Sequence, residues 1–234
     1  MMLSARTAAW AKSGGGVPTA RDYVQDGLVA MWDGIENAGW GEHSESNEKW
    51  VELISLKEAT KESDVRQVIT LSDGFRFVKG GFKTKVLLDN IVAIEAVLRV
   101  DTAQNSGPLL CSTRDRIQLV LVSNADGAQY VALTYTTSSY KKANVPIGKK
   151  FSVSIREDLG FTNGIDSTVV DSSVKGWGFN YGNGTIAYYL PNNFQEVFTN
   201  FVGDIHSLRC YSRHLTIDEI AANYAVDKAR FNLQ

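Results

Sequence analysis

Ile94-Glu95-Ala96-Val97-Leu98-Arg99-Val100 decides the fold. Ile94, Ala96, Leu98 and Val100 fall on one face of an extended chain and Glu95, Val97 and Arg99 on the other, a period of two that no helix satisfies. Such a strand has one apolar face to bury and one wetter face, the pattern of antiparallel sheets stacked in two layers. Phe151, Val153 and Ile155 repeat it against Ser152, Ser154 and Arg156.

The same rhythm extends in both directions. Leu28 to Trp32, Val68 to Leu71, Phe75 to Val78, Ile117 to Val122, Tyr130 to Tyr135 and Ile186 to Leu190 are apolar, β-branched or aromatic runs bounded by Gly, Asn and Asp. Asp73-Gly74, Asp126-Gly127 and Asn183-Gly184 each lie between two runs, where a residue at positive φ suits a tight hairpin. Strands at this spacing predict one β-sandwich of about a dozen strands. No fixed-period repeat is present, which argues against propellers and solenoids.

Composition agrees with a packed domain. The chain has 234 residues, 44% apolar and 21% charged, enough to bury a large core and too apolar for a disordered chain. Its net charge of -2 gives no general attraction to nucleic acid or to an anionic membrane. No apolar run reaches the ~18 residues of a membrane span. Cys111 and Cys210 are too sparse for a disulfide scaffold and lie in no Cys/His array, so they read as buried free thiols, with a bridge between them as the lesser alternative, and a zinc site is unsupported.

Residues 1–25 read as an arm and linker. Arg6, Lys12 and Arg21 stand there with no acid before Asp22, whereas Asp22 to Asp64 holds eleven acids. Ser4 can cap a short helix as far as Lys12, ended by Gly14, Gly15 and Gly16. The arm is either a frayed end or a docking device built on Arg6, Trp10 and Lys12. Met1 to Gly16 lacks a continuous apolar stretch, so no secretory signal is expected and folding in a cytoplasm is.

At the other end, Thr216-x-x-Glu219 is a capping box and Leu215 with Ile220 a hydrophobic staple. They predict a helix over 217–229 with Ile217, Ile220, Ala221 and Tyr224 as its apolar stripe. In the strand before it, Leu208 and Cys210 fit an inward face and Arg209 an outward one, while Ile205 falls out of phase and implies a bulge. Tyr211 and Arg213 are placed to fasten the helix to the sheet.

Two segments carry a family resemblance. Asp26-Gly27-Leu28-Val29-Ala30-Met31-Trp32-Asp33, followed by Trp50-Val51-Glu52-Leu53, resembles the opening of the LamG-like branch of the concanavalin A-like lectin/glucanase superfamily. Gly203-Asp204-Ile205-His206-Ser207-Leu208-Arg209-Cys210-Tyr211-Ser212-Arg213-His214-Leu215-Thr216, with Glu219-Ile220 and Asn223, is similar to its closing strand, Tyr-x-Arg-x-Leu turn and helix. The resemblance implies an all-β, concanavalin A-like jelly-roll β-sandwich over 26–234, with the arm before it and a short C-terminal helix. The start Met2-Leu3-Ser4-Ala5-Arg6 with its Gly-rich linker also resembles such domains encoded by tailed bacteriophages of gut bacteria. That implies a virion protein (head fibre, decoration or tail-associated subunit), homo-oligomeric, whose arm docks to other virion proteins.

Candidate chemistry is sparse. Superfamily glucanases use Glu-x-Asp-x-x-Glu on one strand, and only Glu62-Ser63-Asp64 approaches it, with Gln67 where the last carboxylate belongs. His43, His206 and His214 are scattered, and Lys79-Gly80-Gly81 reads as a turn, not a phosphate loop. Asp101, Asp126 and Asp166 are loop acids of the kind that bind calcium, but no calcium-loop consensus surrounds them, so no cofactor is expected. Lys141-Lys142 and Lys149-Lys150 flank a loop and read as a solvated face. Trp177, Tyr181 and Asn183, and separately Trp40, offer aromatic faces beside hydrogen-bonding groups, which suits a glycan. The expectation is a non-enzymatic virion structural or adhesive protein with host-surface glycan as a partner. The alternatives are a bacterial cell-surface carbohydrate-binding module and a glycoside hydrolase with an unrecognised site.

Overall fold

The computed structural model describes residues 16–37, 49–61, 67–79, 82–87, 91–100, 106–111, 116–123, 129–135, 143–144, 148–156, 160–163, 169–171, 183–186 and 203–234. Its strands are β1 (Leu28–Asp33), β2 (Lys49–Val51), β3 (Glu58–Lys61), β4 (Gln67–Leu71), β5 (Gly74–Lys79), β6 (Phe82–Leu87), β7 (Ala93–Val100) and β8 (Ser106–Cys111). There follow β9 (Arg116–Ser123), β10 (Gln129–Tyr135), β11 (Ala143–Asn144), β12 (Lys150–Arg156), β13 (Gly160–Asn163), β14 (Val169–Asp171), β15 (Asn183–Ile186) and β16 (Gly203–Tyr211). Helix α1 (Ile217–Phe231) closes the chain.

These strands form two eight-stranded sheets, one ordered β14-β13-β12-β7-β16-β5-β4 with β1 also on β16, the other β11-β10-β9-β8-β15-β6-β3-β2. The described pairings are antiparallel. The closing strand β16 lies central in the first sheet: β5 pairs with its start and β1 with its end. Ile94, Ala96, Leu98 and Val100 of β7 and Leu208 and Cys210 of β16 face Trp50, Ala59, Phe82 and Val86 of the second sheet in one core, as the alternation predicts. Register slips between Ile205 and Ser207, where the phase argument put a bulge.

The other face of the first sheet differs from expectation. It is not wet around β7 and β16: Glu95, Val97 and Arg209 are all buried. The cover is α1 and residues 18–25, which include a short 3₁₀ turn, Ala20–Asp22, capped by Thr19. Ala20, Tyr23, Leu28, Met31, Ala93 and Tyr211 pack with Leu215, Ile220 and Val226 beneath the helix. The staple Leu215–Ile220 and the capping box both form, with Glu219 N donating to Thr216 Oγ1 at 3.2 Å and Thr216 N to Glu219 at 2.8 Å. The buried stripe is rotated from the predicted one: Ile217 and Ala221 are exposed, while Asn223, Asp227 and Arg230 point inward with Ile220 and Phe231. Helix orientation follows the ionic partners waiting on the sheet, described below, and the helix runs two residues further than predicted, to Phe231.

Two turn expectations change. β4 and β5 do form a hairpin, with Leu71 opposite Gly74. Gly74 is, however, absent from the positive-φ positions; its hydrogen side chain makes room, since a Cβ there would meet Ile205 O at 2.6 Å. Gly34 is set against the same turn: its Cβ would lie 2.3 Å from Gly74 Cα. Gly34→Ala therefore forces one backbone off another, and a loss of about 2 kcal/mol is expected, read as a lower urea midpoint at unchanged slope. Asn183-Gly184 is not a turn; both residues lie in β15, with a register shift between Asn183 and Thr185.

Trp50-Val51-Glu52-Leu53 also acquires a physical reason. Trp50 is buried between Phe75 and Phe82 and donates from Nε1 to Asp33 O at 3.0 Å. Glu52 folds its carboxylate under the following loop, accepting Met31 N at 2.8 Å, Ile54 N at 2.7 Å and Ser55 N at 2.6 Å. A carboxylate is needed there because three amides converge on it.

Candidate functional site

Two polar arrays occupy the outer face of the first sheet, one sealed and one open. The sealed array is the seat of α1. Arg209 donates from both terminal nitrogens to Asp227 at 2.7 and 2.8 Å and from Nε to Glu95 at 3.2 Å, while its guanidinium stacks 4.0 Å from the Tyr23 ring centre. Asn223 donates to Glu95 at 2.7 Å and to the Tyr211 hydroxyl at 3.1 Å. Tyr23 OH and Ser152 Oγ both donate to Asp227, at 2.7 and 2.8 Å. Next to it, Arg230 donates to Asp33 at 2.7 Å, to Glu36 at 3.2 Å and to Pro18 O at 3.1 Å.

Burial sets the direction for Glu95, Asp33 and the two tyrosines of this seat, whereas for Arg209 and Arg230 it works downward and is outweighed by their acidic partners. It pushes Glu95 up to about 7 against the pull of Arg209, and raises Asp33 against the pull of Arg230. It also raises the Tyr23 and Tyr211 hydroxyls, and Cys210 remains a free, buried thiol. Carboxylates enclosed in this way cannot touch a substrate; their work is to hold the helix and the N-terminal segment on the sheet.

The open array lies across β5, β16, β7 and β12. Register places Arg76, Asp204, Arg99 and Lys150 in one cross-strand row. Asp204, buried, accepts Arg76 at 2.7 and 3.0 Å and Arg99 at 3.2 Å. Both arginines keep about a third of their side chains in solvent, so a ligand can reach them. Lys150 and His206 converge on Asp73, with His206 Nδ1 3.2 Å away. Partial burial works to raise the Asp73 pKa, but the hydrogen bonds from His206 and Lys150 outweigh it and hold the carboxyl well below the usual range. Ile69, 52% exposed and opposite Arg76, borders the row. This surface can offer cationic hydrogen-bond donors beside an apolar contact.

Known structures share this architecture. Trypanosoma rangeli sialidase in complex with sialic acid matches over 93% of this chain and 35% of its own, at 16% identity and TM-score 0.59. Domain 4 of AbnA, a GH43 extracellular arabinanase from Geobacillus stearothermophilus, in complex with arabinotriose, matches over 85% of this chain and 98% of its own, at 11% identity and TM-score 0.50. Botulinum neurotoxin type C, which depends on two ganglioside molecules to enter cells, matches over 86% of this chain and 51% of its own, at 10% identity and TM-score 0.53. The likeness is one of fold. No family model matches the sequence, and no curated protein matches it. The chain spans about a third of the sialidase chains it resembles. One of those is a mutant displaying trans-sialidase activity. The expectation that this chain is not an enzyme is corrected by these matches, because the fold it adopts is found within glycosidase chains.

Most of the site residues expected from sequence, Trp40, Trp177 and Tyr181 for glycan and Arg6, Trp10 and Lys12 for docking, lie outside the described residues, as do Glu62, Asp64, Asp101, Asp126, Asp166 and His43. Asn183 is described through its backbone, which pairs with Leu87. His206 is buried, His214 and Lys149 are exposed, and Lys150 is tied to Asp73. Among the described residues no group of three His, Cys, Asp or Glu is placed to hold a metal ion, and no helix is long and apolar enough to cross a membrane. The sequence reading missed both polar arrays. Their signal was present: Glu95 and Arg99 interrupt an otherwise apolar strand, Asp204 and Arg209 stand as charges within the closing strand, and Asn223, Asp227 and Arg230 recur at one helical face.

Proposed function

We propose that this chain is a carbohydrate-binding module of β-sandwich type, working beside or within glycan-processing machinery. The likeness to the arabinanase domain supports this most directly, because nearly all of that sugar-holding domain is matched and little of it is left over. Sialidase and ganglioside-dependent toxin structures with the same fold point to the same ligand class. Within that class, the closing motif from Gly203 to Thr216 favours a LamG-like assignment. Trp177, Tyr181 and Asn183, with Trp40, supply stacking faces and hydrogen-bonding groups for the sugar rings. A bacterial cell surface is the setting that fits a module of this type. A virion, with Arg6, Trp10 and Lys12 docking to a neighbouring virion protein and repeated copies adding avidity, is the second setting, favoured by the acid-free, basic composition of residues 1–21.

The test is retention on a glycan panel containing sialosides, arabino-oligosaccharides and neutral hexose oligomers. Binding to at least one class is expected, with affinity falling about tenfold in Trp177→Ala through loss of ring stacking. Failure to retain any glycan would overturn the reading.

A further inference from the structure

One guanidinium serves two carboxylates beneath α1. Arg209, wholly buried, is gripped by Asp227 from the helix and by Glu95 from β7. β7 carries Glu95 between β16 and β12, with α1 and residues 18–25 above. β16 brings Arg209 and Tyr211, α1 brings Asn223 and Asp227, residues 18–25 bring Tyr23 above Arg209, β12 brings Ser154 opposite Glu95, and β1 places uncharged Met31 opposite Arg209. With both carboxylates ionised, this seat carries one positive and two negative charges out of contact with water. With Glu95 protonated, the charges balance.

The same side chains hold the N-terminal segment. Tyr23 OH donates to Asp227, Val24 N donates to Asn223 Oδ1 at 2.8 Å, and Pro18 O accepts from Arg230. Whatever loosens α1 therefore loosens residues 18–25 with it.

We propose that this seat is a proton-gated latch: protonated Glu95, held between Arg209 and Asn223, keeps α1 and residues 18–25 clamped on the sheet, and loss of that proton loosens them together. The direction follows from linkage. The closed seat holds the Glu95 proton up to about 7, against an ordinary 4.5 once open, so closure is favoured below 4.5 and that advantage is lost as pH climbs to 7. Between pH 6 and pH 8 the opening equilibrium rises about tenfold. This device is independent of sugar binding, and either can fail without the other.

Hydrogen exchange of the whole chain at pH 6 and pH 8, corrected for intrinsic amide rates, tests it. Protection of 217–231 and 18–25 is expected to fall about tenfold more than that of β9 and β10, and Glu95→Gln, which keeps shape without a charge to gain, is expected to abolish the difference. Equal protection at both pH values, or a pH effect retained in Glu95→Gln, would overturn the latch. If the variant does not fold, infrared difference spectra of the unaltered chain decide: a protonated-carboxyl band persisting at pH 6 and lost with a midpoint near 7 supports it, and no such band refutes it.

Discussion

Arg209→Met is expected to lower the stability of the chain by about 3–5 kcal/mol, among the largest effects any single substitution here can produce. Methionine fills much of the same volume, so the loss is electrostatic. Asp227 keeps the Tyr23 and Ser152 hydroxyls but loses both guanidinium bonds, at 2.7 and 2.8 Å, and remains a charge with no counter-ion in a fully buried position. Glu95 loses its 3.2 Å contact too. Because burial already holds Glu95 near 7, it can take up a proton and go neutral in the variant, and the penalty should be smaller at pH 6 than at pH 8. A double-mutant cycle separates the pair from the packing. Asp227→Asn in the Arg209→Met background should cost less than it does alone, since it removes the stranded charge. Denaturant titrations at the two pH values read all four corners, and a penalty under about 1 kcal/mol for Arg209→Met would mean that the pair is not what seats the helix.

How far the molecule was legible follows from what each sequence signal measures. Period two in Ile94 to Val100 reports which side chains share a face, and the structure puts all four expected residues in the core. It is silent about what lies over the opposite face. Arg209 was rightly placed outward, yet outward meant beneath a helix and not in water, because the cover arrives from 18–25 and 217–231, remote in sequence. The capping box was readable since its two residues are three apart and bond each other. The helix face was not, for the apolar stripe Ile217, Ile220, Ala221 competed with Asn223, Asp227 and Arg230, and bonds from β16, β7 and β1 to those polar residues set the rotation. Asn183-Gly184 has the composition of a turn, but its pairing with β6 keeps it extended, a case of tertiary context overriding local preference. The Arg76–Asp204–Arg99 row needs three strands far apart in the chain to be neighbours, so it became visible only once sheet order was known. Of the glycan candidates, Asn183 falls in strand β15, and Trp40, Trp177 and Tyr181 lie outside the described residues.

Trp50→Ala is the second large loss, about 3–5 kcal/mol. Its cost comes from where β2 sits. β2 is the last strand of the second sheet, paired with β3 and, among the described residues, otherwise tied by one main-chain bond, from Val51 N to Asn37 O at 3.1 Å, so few main-chain bonds hold it. What joins it to the other layer is the indole: its ring centre is 4.7 Å from Phe75, across the sandwich on β5, and 5.9 Å from Phe82 on its own sheet, while Phe75 and Phe82 themselves lie 5.0 Å apart. Nε1 adds a bond to Asp33 O in β1, so one side chain touches three strands. Alanine opens a cavity among aromatic rings that cannot collapse without moving two sheets, and it removes the bond to the Asp33 carbonyl. Trp50→Phe retains most of the ring contact and loses mainly the hydrogen bond, and about 1–3 kcal/mol is expected for it. The ordering matters more than either value. If the two substitutions cost the same, the hydrogen bond and not the aromatic packing would be the tie between the layers, and the sandwich edge would have to be held by the Glu52 loop instead.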